Sequence, residues 1–268
     1  MVSANINRSG PHLFSSAPGK ELQITVILPV KNEEEGLIRT LEALRLQLDN
    51  FNQPLNLDVY EILLLANNCT DESALLARTY QSAFPEFRLH VVEIQLERKE
   101  AHIGTVRRIL MDEAFDRLNS VGRPRGIIVP TDGDSEVDPH WLHYIMEEMN
   151  KGNDVVGGRI LPRETPALSK IHHLRDVSYR FHLSRLESML DPCGSDPWPR
   201  HFQCYGPSLA VTCEIYEKAG RIPAIPYLED EEFRKALYRI DAKVRKSPKV
   251  KVYTSSRLVG KVEFGFSV

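Results

Sequence analysis

The 268-residue chain is short of the features that place a protein quickly. No run approaches the ~18 apolar residues of a membrane span. Its four cysteines, Cys69, Cys193, Cys204 and Cys213, contain no C-x-x-C pair, so a zinc ribbon or a thioredoxin-type redox motif is disfavoured. Thiols so few and so scattered suit a reducing compartment better than a disulfide framework, and a cytoplasmic location is expected. Neither sign of charge dominates: 34 Lys and Arg against 37 Asp and Glu give a formal net charge of -3. That balance argues against a general binder of nucleic acid or anionic membrane. No G-x-G-x-x-G follows the first predicted strand and no Walker lysine motif occurs, which disfavours a dinucleotide dehydrogenase or a P-loop NTPase. Internal repeats and low-complexity segments are also missing. Residues 1–20 are polar, include Gly10, Pro11, Pro18 and Gly19, and hold no apolar core fit for a secretion signal. They read as a disordered tail.

What remains is ordinary in bulk and informative in order. Apolar residues make up 42% and charged residues 26%, as in soluble globular proteins. The length allows one large α/β domain or two small ones. Residues 24–28 (ITVIL), 61–66 (EILLLA), 89–94 (LHVVEI), 127–129 (IIV) and 155–158 (VVGG) read as buried strands. Helical spacing separates them: Leu37, Leu41, Leu44 and Leu48 form one face, and Val106, Leu110, Ala114 and Leu118 another. A helix is also expected from about Glu72 to Tyr80, and Asp138 followed by Pro139 marks a fourth helix start. Strand–helix alternation to residue 160 predicts parallel pairing with right-handed crossovers. Beyond it, a helix over 168–190, a short strand over 206–211, a helix carrying Phe233, Leu237 and Ile240, and a last strand over 250–254 are expected.

Three predicted strands end in polar clusters: residues 29–33, 67–71 and 132–134. In a parallel sheet those ends share one edge, where ligands bind in open α/β folds. Asp132 and Asp134 alternate along an extended backbone and converge on one hard cation only if the chain bends, which Gly133 permits. Mg²⁺ or Mn²⁺ needs few protein carboxylates when a substrate's phosphates complete its shell. A surface Asp-Gly-Asp turn is the competing reading.

In order, these motifs resemble family 2 glycosyltransferases of the GT-A fold, from about residue 24 to 257. The segment ILPVKNEEEG (27–36) is similar to that family's first strand and helix start, TDGDS (131–135) to its D-x-D motif, and LED (228–230) to its E-D motif. The resemblance implies a single Rossmann-like α/β domain over 21–268, with a mostly parallel sheet and helices on both faces. Residues 21–160 would be the nucleotide-binding half and 161–268 the acceptor-binding half. It further implies an inverting, hexosyltransferase-type enzyme. Pro29, Val30, Asn32, Glu33, Asn67, Arg107, Asp132, Gly133 and Arg257 would bind the donor nucleotide, and Asp132 and Asp134 the metal (Mg²⁺ or Mn²⁺). Asp230 would be the catalytic base.

One departure bears on the base. Where relatives carry Asp-Asp or Asp-Asn after the second strand, this chain has Asn67-Asn68. An asparagine oxygen still accepts from a uracil N–H, but its amide also donates, so uridine is favoured without being fixed. On the acceptor side Glu229, Trp198, His201 and Tyr205 are candidates to meet a hydroxyl acceptor of undefined kind (saccharide, lipid or small metabolite), and a homodimer is possible. Two other classes compete: a sugar nucleotidyltransferase, against which the acidic 29–36 segment argues, and a catalytically inactive nucleotide-sugar-binding protein.

Overall fold

A computed structural model of the chain describes residues 12–163 and 167–254, without the side chains of 167–173 and 176. The first strands are β1 (Ile24–Val30), β2 (Tyr60–Asn67), β3 (Leu89–Ile94), β4 (Ile127–Pro130) and the two-residue β5 (Glu136–Val137). The others are β6 (Val155–Pro162), β7 (Leu209–Thr212) and β8 (Val244–Thr254). The helices are α1 (Leu37–Arg45), α2 (Ser73–Ala83), α3 (Ile103–Ser120), α4 (Trp141–Asn150), α5 (Ala167–Leu190), α6 (Cys213–Lys218) and α7 (Glu229–Arg239). All eight strands lie in one sheet of order β3-β2-β1-β4-β7-β6-β8-β5.

The pairs β1–β2, β1–β4, β2–β3 and β6–β8 are parallel. β7 pairs antiparallel with both β4 and β6, and β5 antiparallel with β8. β6 therefore points the way the alternation predicts but does not touch β4. The two sequence halves interleave, because β7 comes from the second and sits between two strands of the first.

Burial on both faces explains the continuous apolar strands. In β1, Ile24, Val26, Leu28 and Val30 pack with Leu37, Leu41 and Leu44 of α1 and Trp141 and Ile145 of α4. Ile27 points to the other layer, with Val106 and Leu110 of α3 and Phe233 and Leu237 of α7. The layer behind α3 also takes in Phe14, which is 3% exposed. Glu113 accepts from the Leu13 amide at 3.2 Å and Arg117 donates to the Ser16 carbonyl at 2.6 Å. Residues 12–20 are thus docked, a correction to the tail reading. An isolated Phe in a polar context gives no periodicity to read. Residues 1–11 and Arg257 lie outside the described residues.

A buried ion pair anchors the same layer at β2. Arg117 grips Glu61 through Nε at 2.8 Å and Nη2 at 2.7 Å, while Thr25 Oγ1 donates to the same carboxylate at 3.1 Å. Burial pushes Glu61 up, yet the Arg117 guanidinium and His90 ring outweigh it and hold the carboxyl at about 2. Among the described residues no helix is long and apolar enough to cross a membrane.

Candidate active site

The three polar strand ends do meet. After β1, Asn32 adopts a left-handed φ of 56° and its Oδ1 accepts from the Thr70 amide at 2.8 Å, stitching the first cluster to the second. Asparagine tolerates that backbone region better than most residues. The Glu33 amide donates to Ser73 Oγ at 2.8 Å, and Cys69 Sγ lies 3.6 Å from the Val30 carbonyl. The third cluster presses on the first at Gly133. A Cβ there would stand 3.1 Å from Glu33 Cγ, 3.2 Å from Val30 Cγ2 and 3.3 Å from the Pro29 carbonyl. Gly133 does not use the left-handed region, so its contribution is close approach rather than the bend expected of it. Thr40 Oγ1 donates to the Gly133 carbonyl at 3.0 Å and fixes the loop against α1.

Asn67 is 4% exposed at the end of β2. Asn68 is spent on the fold: its amide group donates to the Leu96 carbonyl at 3.0 Å and its Oδ1 accepts from the Leu96 amide at 3.1 Å. Of the two adjacent asparagines, the second therefore holds down the chain after β3.

Arg107 links the strand ends to the second half. From α3 its Nη2 donates to Asp132 Oδ1 at 2.6 Å, and its Nη1 donates to Glu229 in the first turn of α7. Burial by itself would lower the arginine's pKa, but Asp132, Glu229 and Asp230 raise it further than burial lowers it. Glu229 is 3% exposed; burial raises its carboxyl, Asp230 adds to the rise, and Arg107 opposes both. Space for the guanidinium comes from Gly206, where a Cβ would lie 2.4 Å from Arg107 Nη1. A cavity of about 10 Å³, room for roughly one water, lies between Arg107, Pro130, Gly206, Asp230 and Phe233.

Asp230 is held by two backbone amides. Its Oδ2 accepts from Gly206 N at 2.8 Å and its Oδ1 from Glu231 N at 2.9 Å. The turn into α7 runs through Leu228 at φ 58°, a conformation that costs a non-glycine residue about 1–2 kcal/mol. Four acidic residues, Glu229 to Glu232, open the helix, as its dipole favours. Position 230 is nevertheless distinct among them, because Glu231 turns to Arg234 and Glu232 to Lys235.

The remaining candidates divide. His201 is buried with both ring nitrogens occupied: Nδ1 accepts from Gln203 N at 3.0 Å, and Nε2 donates to the Gly157 and Ser247 carbonyls at 3.1 and 3.2 Å. Burial drives its pKa down to about 3. It cross-links β6 to β8 and has no nitrogen left for an acceptor, which corrects that expectation. Trp198 is 40% exposed and packs on Phe181 at 5.1 Å between ring centres. Tyr205 is half-buried immediately before Gly206. Arg163, just past β6, was not singled out from the sequence: its Nη2 donates to the Asp134 carbonyl at 2.9 Å and its Nε lies 3.0 Å from Glu136. The usable signal was its place after a strand that ends at the same sheet edge.

Asp132 and Asp134 are half-buried, and among the described residues no group of three or more His, Cys, Asp or Glu side chains surrounds a potential metal position. Two carboxylates one residue apart fit a hard cation that takes most of its ligands from phosphate and water, as Mg²⁺ does. They do not fit a cation caged wholly by protein. Asp132 already gives one oxygen to Arg107, so a cation would draw on its other oxygen and on Asp134.

This sheet edge, where one arginine joins Asp132 to Glu229, sits in the frame of the GT-A glycosyltransferase fold. Residues 25–198 match the model of glycosyl transferase family 2, and the chain belongs to that family. No curated protein matches it. Among solved structures, Staphylococcus aureus TarS 1–349 in complex with UDP aligns over 88% of this chain and 61% of its own, with 16% identity and a TM-score of 0.58. The mannosyltransferase PcManGT from Pyrobaculum calidifontis, in complex with GDP-Man and Mn²⁺, aligns over 94% and 62%, with 18% identity and a TM-score of 0.59. Glucosyl-3-phosphoglycerate synthase from Mycobacterium tuberculosis aligns over 88% and 72%, with 16% identity and a TM-score of 0.50. The chain thus spans about three-fifths of the first two proteins, and at these identities the likeness is one of fold.

Proposed function

We propose that the protein transfers a sugar from a nucleoside-diphosphate sugar, UDP-sugar being favoured, to an acceptor hydroxyl with inversion at the anomeric carbon. The observation that carries this reading is the Arg107 bridge from Asp132 to Glu229, next to Asp230. It brings a candidate base within one arginine's reach of the donor strand end. The TarS and PcManGT structures, one with UDP and the other with GDP-Man and Mn²⁺, support a nucleotide-sugar donor and a divalent ion.

Pro29, Val30, Asn32, Glu33 and Asn67 line the nucleoside side, and Gly133 keeps that wall close to the D-x-D loop. Asp134, with Asp132, is the metal pair; a bound Mg²⁺ or Mn²⁺ supplies Lewis-acid neutralisation of the leaving diphosphate. Arg107 holds Asp132 in place from behind. Asp230, oriented by the Gly206 and Glu231 amides, takes the proton of the acceptor hydroxyl as its oxygen bonds to the anomeric carbon. The bond from that carbon to the diphosphate breaks on the opposite face, and the nucleoside diphosphate departs. General-base assistance of this kind is typically worth ~10²–10⁴ in rate.

The direct test follows release of nucleoside diphosphate from a panel of nucleotide sugars with Mn²⁺ present. Turnover that is stimulated by the ion and lost in Asp230→Asn supports the reading. Release of pyrophosphate instead, from a sugar phosphate and a nucleoside triphosphate, would reassign the protein as a nucleotidyltransferase.

A further inference from the structure

Helix α5 carries an apolar stripe that faces outward. Among its described side chains only Ser184 is buried, with Val177 and Ser188 half-buried; these three mark the side that faces the body. At 100° per residue they share an arc of about 40°. Tyr179, Leu183, Leu186 and Leu190, spaced four, three and four apart, fall in an arc of about 60° centred some 150° away. They are 67%, 42%, 51% and 76% exposed. A surface helix ordinarily packs its apolar stripe inward and shows its polar side to solvent. Here Val177, Ser184 and Ser188 face in, with Phe181 beside them on Trp198, and a second apolar stripe faces out.

The four-three-four spacing is that of a coiled-coil seam, with Tyr179 and Leu186 at d positions and Leu183 and Leu190 at a positions. The flanking e positions hold Arg180 and Glu187, opposite charges one heptad apart. In an antiparallel pair of identical helices, a residues meet d residues and e residues face e residues. Leu183 then meets Leu186 of the second copy, Tyr179 meets Leu190, and Arg180 faces Glu187, each contact occurring twice about the two-fold axis. That self-complementarity is what an isologous interface requires. Both charges stand at the surface, Arg180 over the Phe202 ring at 5.5 Å and Glu187 at a loose 3.8 Å from Arg200. Because the stripe lies away from the body-facing side, the two molecules would meet helix to helix.

We infer that α5 is a homodimerisation surface, on which a second copy of this chain packs its own α5 antiparallel through Tyr179, Leu183, Leu186 and Leu190, with Arg180 paired to Glu187. This surface is independent of the reaction assigned above. The seam is only about three turns long, so the association is of modest strength and is read across concentration.

Sedimentation equilibrium of the full chain from about 1 to 100 μM should show a monomer–dimer equilibrium. Leu183→Glu should leave a monomer throughout, with unchanged circular dichroism and melting temperature measured in dilute, monomeric conditions. Arg180→Glu should raise the dimer dissociation constant ~10-fold or more, because two carboxylates would then face each other across the seam. The double exchange of Arg180→Glu with Glu187→Arg should return it to within a few-fold of the parent. A parent that is monomeric at every concentration would overturn the inference. So would a dimer that persists in Leu183→Glu, or a single charge reversal that the second reversal does not rescue. Monomeric protein co-sedimenting with anionic phospholipid vesicles would overturn it as well, and would give the stripe to a membrane surface.

Discussion

Arg107 and Asp132 stand 2.6 Å apart, Nη2 to Oδ1, although α3 and the loop after β4 deliver them from opposite sides of 25 residues. The same guanidinium reaches Glu229, more than a hundred residues further on. The loop after β4 and the first turn of α7 are held together through this one side chain.

Removing Arg107 should therefore hurt the fold as well as the reaction. Arg107→Ala leaves Glu229 buried without its counter-ion, a loss of about 3–5 kcal/mol for a broken buried pair. Chemical denaturation should show that loss. Arg107→Lys keeps the charge but cannot fork between two carboxylates, so it should fall between. Gly206→Ala should destabilise by about 1–3 kcal/mol through overpacking against the guanidinium, and the penalty should shrink in an Arg107→Ala background. Additive losses in the double variant would contradict the contact.

The candidate base is tested by comparing neighbours in one helix turn. Asp230→Asn should reduce turnover by ~10²–10⁴ while leaving metal-dependent nucleotide binding in place. Glu231→Gln, which loses only its pair with Arg234, should cost little. Equal, mild effects would reduce Asp230 to a charge at a helix start.

Two buried groups predict how the protein meets acid. His201 is held near pKa 3 by burial, so its contribution to stability is complete above the ordinary histidine pKa and drains away as pH falls below it. Glu61, held at about 2, contributes fully above the ordinary carboxylate pKa and loses its contribution as pH falls toward 2. The Glu61 share is roughly 3 kcal/mol. Denaturation midpoints should thus decline first between about pH 6.5 and 4.5 and again below. Glu61→Gln should flatten the lower limb, and His201→Gln the upper one. A lower limb unchanged in Glu61→Gln would show that other carboxylates carry it.

The strands themselves, and the edge that three of them share, were legible because apolar runs are local. Apolar runs at residues 24–28, 61–66 and 127–129 end in polar clusters, and a parallel sheet sends those ends to one edge. The position of β7 between β4 and β6 was not legible, since periodicity shows a strand but not its neighbour. His201 was misread for a similar reason: a histidine's role depends on what faces its two nitrogens, here the backbone of β6, β8 and residue 203. Glu229 read as an acceptor contact and is instead Arg107's buried partner, a pairing across 122 residues that no spacing encodes. Gly206 left no sequence signal at all, because its value lies in the volume it leaves to a distant arginine.

We expect the three strand ends to form one nucleotide site completed by a divalent ion on Asp134. Isothermal titration of UDP, and of other nucleoside diphosphates, into the intact chain with Mn²⁺ or with chelator decides this. Binding should appear with Mn²⁺, weaken at least ~10-fold with chelator, and lose that difference in Asp134→Ala while the variant keeps its melting temperature. Equal affinity with and without the ion would remove the metal from the account, and no binding of any nucleoside diphosphate would contradict the site itself.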